Sequence, residues 1–510
     1  MREPPKGTVR DWLNQRANQG GTGFVFPDGA PDLSWGELRE TACRIAVMLT
    51  GMGVEKGESV AILYPNCREA LEVLFGVLYG GFRATMINLV AGDNAVAYAL
   101  EHSGARYSFV HPGQTELFER TADPTKITPL HAADATDTDG NLHSISSDSH
   151  ALLMYTSGTT GRPKGVVHTH SSLLAGGWTT TIAHELSEAD RGFCVLPIYH
   201  INGLCVTVMG TLVAGGSLAV CERFSASRFW ENLENVEATW FSVVPTIISH
   251  LLQSDTKPDV QSRQRVRFGR SASSALAPDV QRAFEDRFQI PIVETMGLTE
   301  TAAQILSNPL PPGIRKIGSP GIAFGNEAAI FDAHCQPVPR ETEGELVIRG
   351  PNVMLEYLKN PEATAETFTA DGWLHTGDLA RMDEDGYVYV TGRLKELIIK
   401  GGENIAPREI DEALYSHPDV VEAAAFARPC SSYGETVEAA VKVREGSKLT
   451  PMDLSKICEA QLGRFKSPDE VHILQDLPKG PSGKIQRNRI LEIVKEESDS
   501  SPHEQPKHRF

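Results

Sequence analysis

The segment Tyr155-Thr-Ser-Gly-Thr-Thr-Gly-Arg-Pro-Lys-Gly165 follows an apolar run that begins at Ala151. Its glycines let backbone N–H groups approach an anion closely, its hydroxyls can donate to phosphate oxygens, and its lysine adds a mobile positive charge. A Walker A pattern does not fit this string. The segment therefore predicts a phosphate-binding loop after a buried strand, formed by Thr156, Ser157, Gly158, Thr159, Thr160 and Lys164.

Upstream of this loop, helical and strand patterns alternate. Ser34 and Glu37 form a capping box before an amphipathic helix. A strand is predicted at residues 60–63 and a helix at residues 68–78. Apolar runs continue at residues 84–89, 107–110 and 151–155. This alternation predicts an α/β architecture with buried strands.

Downstream, short alternating strands predominate from about residue 327. They include residues 345–348 and residues 387–391, the latter introduced by the turn signal Asp385-Gly386. After Arg393 a smaller α+β pattern begins, with Pro407 placed to open a helix. Strand-like runs follow at residues 420–426 and 439–443.

The predicted fold is α/β with a β-rich subdomain, divided into a large and a small domain. The large N-terminal α/β domain is predicted at residues 1–393 and a small, mobile C-terminal α+β domain at residues 394–497. Residues 498–510 are polar and contain proline, so a disordered tail is expected there.

Charge and cysteine content narrow the possible partners. The 510 residues include 66 acidic and 48 basic side chains, for a formal net charge of −18. Nucleic acid and anionic membrane surfaces are not expected as partners, because neutralising phosphates requires excess Lys and Arg. The eight cysteines are scattered singly, without a CxxC pair, which favours reduced thiols. The N-terminus lacks the apolar region of a signal peptide, and no run of about 18 apolar residues could span a membrane. A cytoplasmic protein without membrane insertion is therefore expected.

Seven further motifs follow the phosphate loop. In chain order they are Pro197-Ile-Tyr-His200-Ile-Asn-Gly203, Ser271-Ala-Ser-Ser-Ala-Leu276, Thr295-Met-Gly-Leu-Thr299-Glu300, Trp373-Leu-His-Thr-Gly-Asp378, Gly392-Arg393-Leu-Lys395, Lys400-Gly-Gly-Glu-Asn404 and Pro481-Ser-Gly-Lys484. Together they cover nearly the whole chain. In this order they resemble the adenylate-forming superfamily of acyl-CoA synthetases, firefly luciferases and peptide-synthetase adenylation domains.

The resemblance implies that ATP converts a carboxylic acid to an acyl-adenylate, whose acyl group then passes to coenzyme A. Glu300 is expected to hold Mg²⁺ against ATP oxygens and Thr299 to donate to a phosphate. Lys484 is expected to bridge the acyl carboxylate and the nucleotide, because the two anions repel as they join. His200 is expected to lie beside the acyl pocket.

Nucleoside binding is implied for a second set of residues. Asp378 is expected to accept hydrogen bonds from both ribose hydroxyls and Arg393 to donate to them. The adenine side is expected to be formed by Ser273, Ser274, Ala275, Thr295 and Met296. The family usually has an aromatic residue where this chain has Met296, and Ala-Ala-Pro or Gly-Ala-Pro where it has Ser273-Ser-Ala275. A thioether can still cover an adenine face.

The small domain is expected to serve the second half-reaction. By resemblance, Gly401, Gly402 and Glu403 line the path of the coenzyme A thiol, and Lys395 occupies the hinge position. Lys484 and these glycines act on the same acyl carbonyl in different steps, so the small domain is expected to rotate between them.

The histidines His168 and His170 suggest a metal site as one alternative. A strand-end or loop location without a metal is the favoured interpretation.

Four functions remain open from the sequence. An AMP-forming acid:CoA ligase leads, because no side chain blocks a thiol channel at Gly401 and Gly402. An acyl-AMP ligase that loads a carrier protein, and a non-catalytic nucleotide-binding protein, are the alternatives, and a luciferase-like oxygenase is formally compatible. The segments 223–230, 238–241 and 270–274 are similar to oxalate and other small-acid ligases. They favour a short polar or doubly anionic acid over a medium- or long-chain or other hydrophobic acid.

Overall fold

The computed structural model describes residues 3–156, 163–430, 432–480 and 485–500, with side chains through residue 495. Its contacts divide the chain into two compact units. The first unit comprises Met1–Thr376 and Ala380–Tyr389, and the second comprises Gly377–Leu379 and Val390–Phe510. The predicted domain boundary after Arg393 lies a few residues beyond this division and stays a prediction.

Helices occur throughout both units. They are α1 (Val9–Gln19), α2 (Trp35–Gly51), α3 (Arg68–Gly80), α4 (Asp93–Ser103), α5 (Thr115–Thr121), α6 (His170–Ala183), α7 (Gly210–Ala214), α8 (Phe229–Asn235), α9 (Pro245–Gln253), α10 (Val260–Arg265), α11 (Pro278–Phe288), α12 (Pro361–Thr367), α13 (Pro407–Tyr415), α14 (Pro451–Leu462) and α15 (Arg487–Ser500). A π-helix spans Asn202–Met209, and short 3₁₀ turns include Thr299–Thr301 and Leu394–Glu396.

In the described part of the chain, the strands form four sheets. In chain order they are β1 (Thr22–Val25), β2 (Leu33–Ser34), β3 (Ser59–Leu63), β4 (Arg83–Met86), β5 (Tyr107–Val110), β6 (Thr128–Leu130), β7 (His150–Thr156), β8 (Lys164–Thr169), β9 (Arg191–Cys194), β10 (Ser217–Val220), β11 (Trp240–Val243), β12 (Phe268–Ser271), β13 (Ile292–Leu298), β14 (Ala303–Ser307), β15 (Ile322–Ala323), β16 (Glu327–Phe331), β17 (Gly344–Arg349), β18 (Glu356–Tyr357), β19 (Leu374–Met382), β20 (Val388–Arg393), β21 (Ile398–Lys400), β22 (Glu403–Ile405), β23 (Val420–Cys430), β24 (Gly434–Val443) and β25 (Glu470–Ile473).

Two large sheets organise the first unit. The nine-stranded sheet has the order β15-β14-β13-β12-β11-β9-β10-β1-β2, in which β1, β10, β9, β11, β12 and β13 run parallel. The seven-stranded sheet has the order β18-β8-β7-β4-β3-β5-β6, in which β7, β4, β3, β5 and β6 run parallel. One apolar core includes residues of both sheets, such as Ile62 and Phe193, and of the mutually packed helices α2 and α3.

The β-rich segment forms a four-stranded sheet with the order β16-β17-β19-β20. Its inward-facing side chains, among them Leu346, Ile348 and Ala380, pack against Ile305 and Leu306 of β14. This segment is therefore joined to the end of the nine-stranded sheet that carries the Thr299–Glu300 motif.

The second unit has its own small sheet and core. The strand order is β22-β21-β24-β23, and β25 pairs in parallel with β24. Helices α13 and α14 bury Ile410, Leu414 and Leu454 against this sheet. Pro407 opens α13, as the sequence predicts. The predicted α/β fold with a large N-terminal and a small C-terminal domain is confirmed.

The predicted tail differs from the structure at its start. Residues 498–500 were expected to be disordered, whereas α15 continues to Ser500. Helix propagation adds one backbone hydrogen bond per residue once a helix is anchored, and Ile490 and Val494 anchor this one. Residues 501–510 lie outside the described part of the chain. Among the described residues, no helix combines the length and apolar character that a membrane span requires.

Candidate active site

The predicted site residues of the first unit follow the carboxyl ends of strands. Strand β9 leads to the segment with His200, β12 leads to the exposed loop 273–275, and β13 leads to Thr299 and Glu300. In open α/β sheets, ligands bind at this edge. Asn202 Nδ2 donates to Ser273 Oγ over 3.1 Å, which ties the His200 segment to the loop.

The turn that carries Glu300 is held by three hydrogen bonds from outside the turn. His168 Nε2 donates to the carbonyl of Thr299 over 2.7 Å, and the Met354 N–H donates to the carbonyl of Glu300 over 2.7 Å. Asn352 Nδ2 donates to the carbonyl of Thr301 over 2.8 Å. Ala302 and Ala303 have φ of 45° and 77°, a left-handed conformation that costs energy without glycine. The surrounding contacts therefore fix a strained turn.

Glycine is required just before this turn. A Cβ on Gly297 would lie 1.8 Å from the carbonyl oxygen of Ala303, because β13 and β14 approach closely there. The glycine of the motif thus allows β13 to turn back into β14 through the short turn that carries Glu300.

The Glu300 carboxylate has a partner that the sequence analysis missed. The hydroxyl of Tyr357 donates to Glu300 Oε1 over 2.8 Å, and the ammonium of Lys164 lies 4.5 Å from the centroid of the Tyr357 ring. Tyr357 is buried, and burial followed by the charge of Glu300 raises the pKa of its hydroxyl. Among described residues, neither Lys164 nor Glu300 forms an ion pair within 4 Å.

The residues of this turn fit a magnesium ion. Glu300 is a partly exposed carboxylate, and a hard oxygen ligand of this kind suits Mg²⁺, which usually takes few protein ligands and completes its shell with water and phosphate. Tyr357 would orient that carboxylate from behind.

The predicted phosphate-binding loop is described only at its two ends. Thr156 ends β7 and Lys164 begins β8, and the two residues are paired in an antiparallel hairpin. The predicted residues Ser157, Gly158, Thr159 and Thr160 lie outside the described residues, as does Lys484. Their roles stay predictions.

The His200 segment enters a π-helix at Asn202. Such helices are rare and often occur at functional sites. A Cβ on Gly203 would lie 2.2 Å from the carbonyl oxygen of Pro197, so the segment folds back on itself only with glycine there. His200 is partly buried, with its ring centroid 5.0 Å from that of Tyr199.

The two histidines near the loop are buried and hydrogen-bonded. His168 lies near the end of β8, where Nδ1 is 3.0 Å from Ser172 Oγ. His170 begins α6, and its Nδ1 accepts from the N–H of Val9 over 3.3 Å. Burial lowers the pKa of both imidazoles to about 4. Because a carbonyl only accepts, the neutral His168 carries its proton on Nε2, toward Thr299.

The predicted ribose-binding pair is formed within the second unit. Arg393 Nε donates to Asp378 Oδ1 over 2.7 Å, and Asp378 is buried. A carboxylate held by a guanidinium is a fixed acceptor, which suits the recognition of a diol. The role of this pair in ribose binding stays a prediction.

Gly401 and Gly402 form a tight hairpin turn between β21 and β22. Their φ angles of 61° and 88° place both residues in the left-handed region that two-residue hairpins require. They are exposed, as is the adjoining Glu403. Lys395 is exposed in the 3₁₀ turn Leu394–Glu396.

Comparisons with known proteins agree with this arrangement. Residues 13–358 match the model of the AMP-binding enzyme family, and residues 409–484 match that of the AMP-binding enzyme C-terminal domain. A sulfoacetate–CoA ligase of Cupriavidus necator is 45% identical over 92% of this chain and 94% of its own length. An oxalate–CoA ligase of Arabidopsis thaliana is 34% identical over 92% of this chain and 96% of its own length.

Solved structures show the same fold. ATP-bound MatB from Rhodopseudomonas palustris matches with a TM-score of 0.88 and 29% identity, over 96% of this chain and 99% of that one. The o-succinylbenzoate coenzyme A synthetase of Bacillus subtilis, with ATP and magnesium ion, matches with a TM-score of 0.83 and 28% identity, over 94% and 99%. The chain therefore belongs to the AMP-binding enzyme family, in the acid:CoA ligase branch of the adenylate-forming superfamily, and is an AMP-forming acyl-CoA synthetase.

Proposed function

We propose that this enzyme activates a short carboxylic acid carrying a second polar or anionic group and transfers it to coenzyme A. In the first half-reaction a carboxylate oxygen attacks the α-phosphorus of ATP, and the bond to pyrophosphate breaks. In the second, the thiol of coenzyme A attacks the acyl carbonyl, AMP leaves, and the thiol proton passes to solvent.

The arrangement of Lys164, Tyr357 and Glu300 carries the proposal for the first step. The tyrosine hydroxyl bonds the carboxylate and its ring lies under the ammonium, so a cation for phosphate and an anion for metal are both kept ready. Charges placed before the reaction stabilise the developing negative charge at low reorganisation cost. When bound, Mg²⁺ would neutralise ATP oxygens.

The other roles follow from the motifs. Thr299 donates to a phosphate, Lys484 bridges the acid and the nucleotide, and His200 lines the acyl pocket. Asp378 and Arg393 hold the ribose. The adenine side is formed by Ser273, Ser274, Ala275, Thr295 and Met296. Thr295 is buried on β13, and Met296 packs partly into the core beside β14, so both are anchored by the sheet.

The second half-reaction is assigned to the small domain. The exposed glycine turn at Gly401 and Gly402 presents backbone without side chains, which would leave space for a narrow pantetheine arm. Glu403 adjoins this turn. The small domain would rotate at Lys395 to bring the turn to the acyl-adenylate.

The proposed acid class is supported by the relatives. Two curated relatives that span nearly the whole chain are named for sulfoacetate and oxalate, both two-carbon acids with a second anionic group. The expected substrate is therefore short and bears a second charge.

The test is an acid screen with the purified enzyme. Pyrophosphate release is measured with sulfoacetate, oxalate, malonate, acetate, octanoate and ferulate, and thioester formation is compared with coenzyme A and with a phosphopantetheinylated carrier protein. The proposal expects the dianionic acids to have the highest kcat/KM and coenzyme A to be the acceptor. A preference for octanoate or ferulate would contradict the substrate class, and transfer only to the carrier protein would contradict the acceptor.

A further inference from the structure

Arg270 is a buried arginine near the end of β12. It is only 1% exposed. Its Nη1 donates to Asn202 Oδ1 over 2.7 Å and to Ser242 Oγ over 3.3 Å, and its Nε donates to Gln304 Oε1 over 3.3 Å. All three acceptors are neutral. Its Nη2 donates to no residue that the structure describes.

The charge of Arg270 is not balanced within the described chain. No described carboxylate lies within 4 Å of its guanidinium, whereas the buried Arg16 pairs with Glu188 at 3.6 Å. Burial lowers the pKa of Arg270 to about 9, which leaves the group charged at neutral pH. The nearby His184 is neutral and adds no second charge, because burial and then the charge of Arg270 lower the pKa of its imidazole far below the ordinary value. A buried, unpaired cation is costly, so its retention calls for a functional reason.

The surroundings of Arg270 belong to the proposed acid site. Asn202 follows His200 by two residues, and Gln304 follows Glu300 by four. Ser242 lies directly opposite Arg270 on the neighbouring strand β11. Asn202, which accepts a hydrogen bond from the buried guanidinium, itself donates to Ser273 on the exposed loop 273–275. The cation therefore lies inward of the segments at which the acid would be activated.

We propose that Arg270 forms an anion subsite that binds the distal sulfonate or carboxylate of the acid while its other end is joined to AMP. This inference rests on the proposed function and deepens it. A guanidinium presents paired N–H donors that match the oxygens of carboxylate and sulfonate, and Nη2 supplies donors that the protein leaves unused. Asn202 and Gln304 hold the plane of the guanidinium. An apolar tail at this position would bury hydrocarbon against an unpaired charge, so long-chain acids are rejected.

The test compares acids of matched shape that differ in distal charge. Sulfoacetate is paired with methylsulfonylacetate, and malonate with malonamate, so that each pair replaces the distal anion by a neutral group of similar size. Wild type is expected to prefer the charged member in kcat/KM by about a hundredfold or more, as for a buried polar group left unpaired by the wrong substrate. The two pairs distinguish a sulfonate from a carboxylate as the natural distal group.

Two substitutions and one control locate the preference at Arg270. Arg270→Gln is expected to lower the charged-to-neutral ratio to below about ten, and Arg270→Lys to keep a larger ratio than Arg270→Gln. Arg315→Gln, at an arginine that pairs with Glu285, is expected to keep the wild-type ratio. Sulfoacetate binding in the presence of a non-hydrolysable ATP analogue, measured by calorimetry, should weaken in parallel for Arg270→Gln while binding of the ATP analogue alone is unchanged.

The outcomes separate this inference from the proposed function. A wild-type enzyme that activates no dianionic acid contradicts the proposed function itself. A wild-type enzyme that activates sulfoacetate and methylsulfonylacetate equally well overturns the subsite without any variant, as does an Arg270→Gln variant that keeps the wild-type ratio. A role confined to folding would lower activity toward both members of each pair alike, and would therefore also overturn it.

Discussion

Glu300 and Lys164 carry opposite charges, and both contact Tyr357 without forming an ion pair with each other. The hydroxyl of Tyr357 satisfies one oxygen of Glu300, and its ring takes the ammonium of Lys164. A direct ion pair would neutralise both groups before ATP arrived. Under the proposed function, the tyrosine would thus keep the carboxylate available for a metal ion and the lysine available for phosphate.

The charge of Glu300 is the first property to test. Glu300→Gln keeps the shape but removes the anionic ligand, so the Mg²⁺ concentration for half-maximal pyrophosphate release should rise and turnover should fall by about a hundredfold. Glu327→Gln, at an exposed carboxylate paired with Arg349, is the control and should behave as wild type. A normal Mg²⁺ titration with unchanged turnover would place the metal elsewhere.

Tyr357 allows the hydrogen bond to Glu300 to be tested separately, because removing its hydroxyl leaves the ring in place. Tyr357→Phe keeps the ring beneath Lys164 and removes the bond to Glu300, so Mn²⁺ affinity in the presence of ATP, measured by electron paramagnetic resonance, should fall about tenfold. The KM for the acid should stay the same. Tyr107→Phe, which removes a hydroxyl that donates to the carbonyl of Met52 over 3.3 Å, serves as the control. Unchanged Mn²⁺ affinity would show that the hydroxyl does not orient the carboxylate.

These contacts include residues whose partners the sequence alone does not reveal. Glu300 and Lys164 stand in recognisable strings, but Tyr357 reaches Glu300 from 57 residues away, through the pairing of β18 with β8. Arg270 falls inside a segment that the sequence associates with small-acid ligases. Its burial, and its lack of a carboxylate partner among the described residues, appear only once β11, β12 and the His200 segment are packed together.

At the scale of elements, helix α6 is bracketed by buried histidines. His168 precedes it, His170 begins it and His184 caps its end, and burial lowers the pKa of each imidazole. A lowered pKa means that the unfolded chain binds more protons, so stability is complete above pH 6.5 and declines as the pH falls toward 4.

His170 allows this linkage to be measured. For a pKa of about 4 in the folded state, protonation of the unfolded state costs about 2 kcal/mol of stability per histidine between pH 7 and pH 5. In His170→Asn, the amide oxygen can accept from the N–H of Val9 without titrating. The free energy of unfolding should therefore fall by about 2 kcal/mol less between pH 7 and pH 5 than in wild type. His334→Asn, at an exposed histidine, is the control. Equal losses in all three proteins would contradict the linkage.

Elements whose sequences carry strong local signals form as the sequence predicts. The capping box at Ser34 and Glu37 is formed as predicted, and the strand predicted at residues 107–110 has those bounds. The π-helix Asn202–Met209 was not predicted, since its apolar sequence is also compatible with an α-helix. Its i→i+5 hydrogen-bond pattern arises in a segment that packs against α6 and must fold back at Gly203.

At the scale of the whole molecule, two half-reactions require different parts of one small domain. Lys484 is assigned to adenylation, and the turn at Gly401 and Gly402 to thiol transfer. Both belong to the second unit, and under the proposed function both would serve the same acyl carbonyl, so a single arrangement would not place both there. Rotation of the domain resolves this conflict, and closures of this kind turn on a few residues at element ends.

Lys395 is the position at which rotation can be blocked. It is exposed in a 3₁₀ turn, so a substitution there removes little packing. Proline fixes φ near −65° and removes a backbone donor, which restricts the chain to one arrangement. Lys395→Pro should leave pyrophosphate release in a single turnover largely intact. Acyl-CoA formation from preformed acyl-adenylate should fall by about a hundredfold or more, because the thiol no longer reaches the carbonyl in a reactive geometry.

A second proline separates rotation from a general effect of proline in this unit. Glu445 is the second residue of the turn from Arg444 to Ser447 and precedes Gly446, whose φ is 79°. Proline is common at this position of such a turn. Glu445→Pro should therefore keep both half-reactions at wild-type rates. If Lys395→Pro also keeps both, the hinge lies elsewhere, for example at the division between Tyr389 and Val390, and if it slows both equally, the restriction acts on more than the rotation.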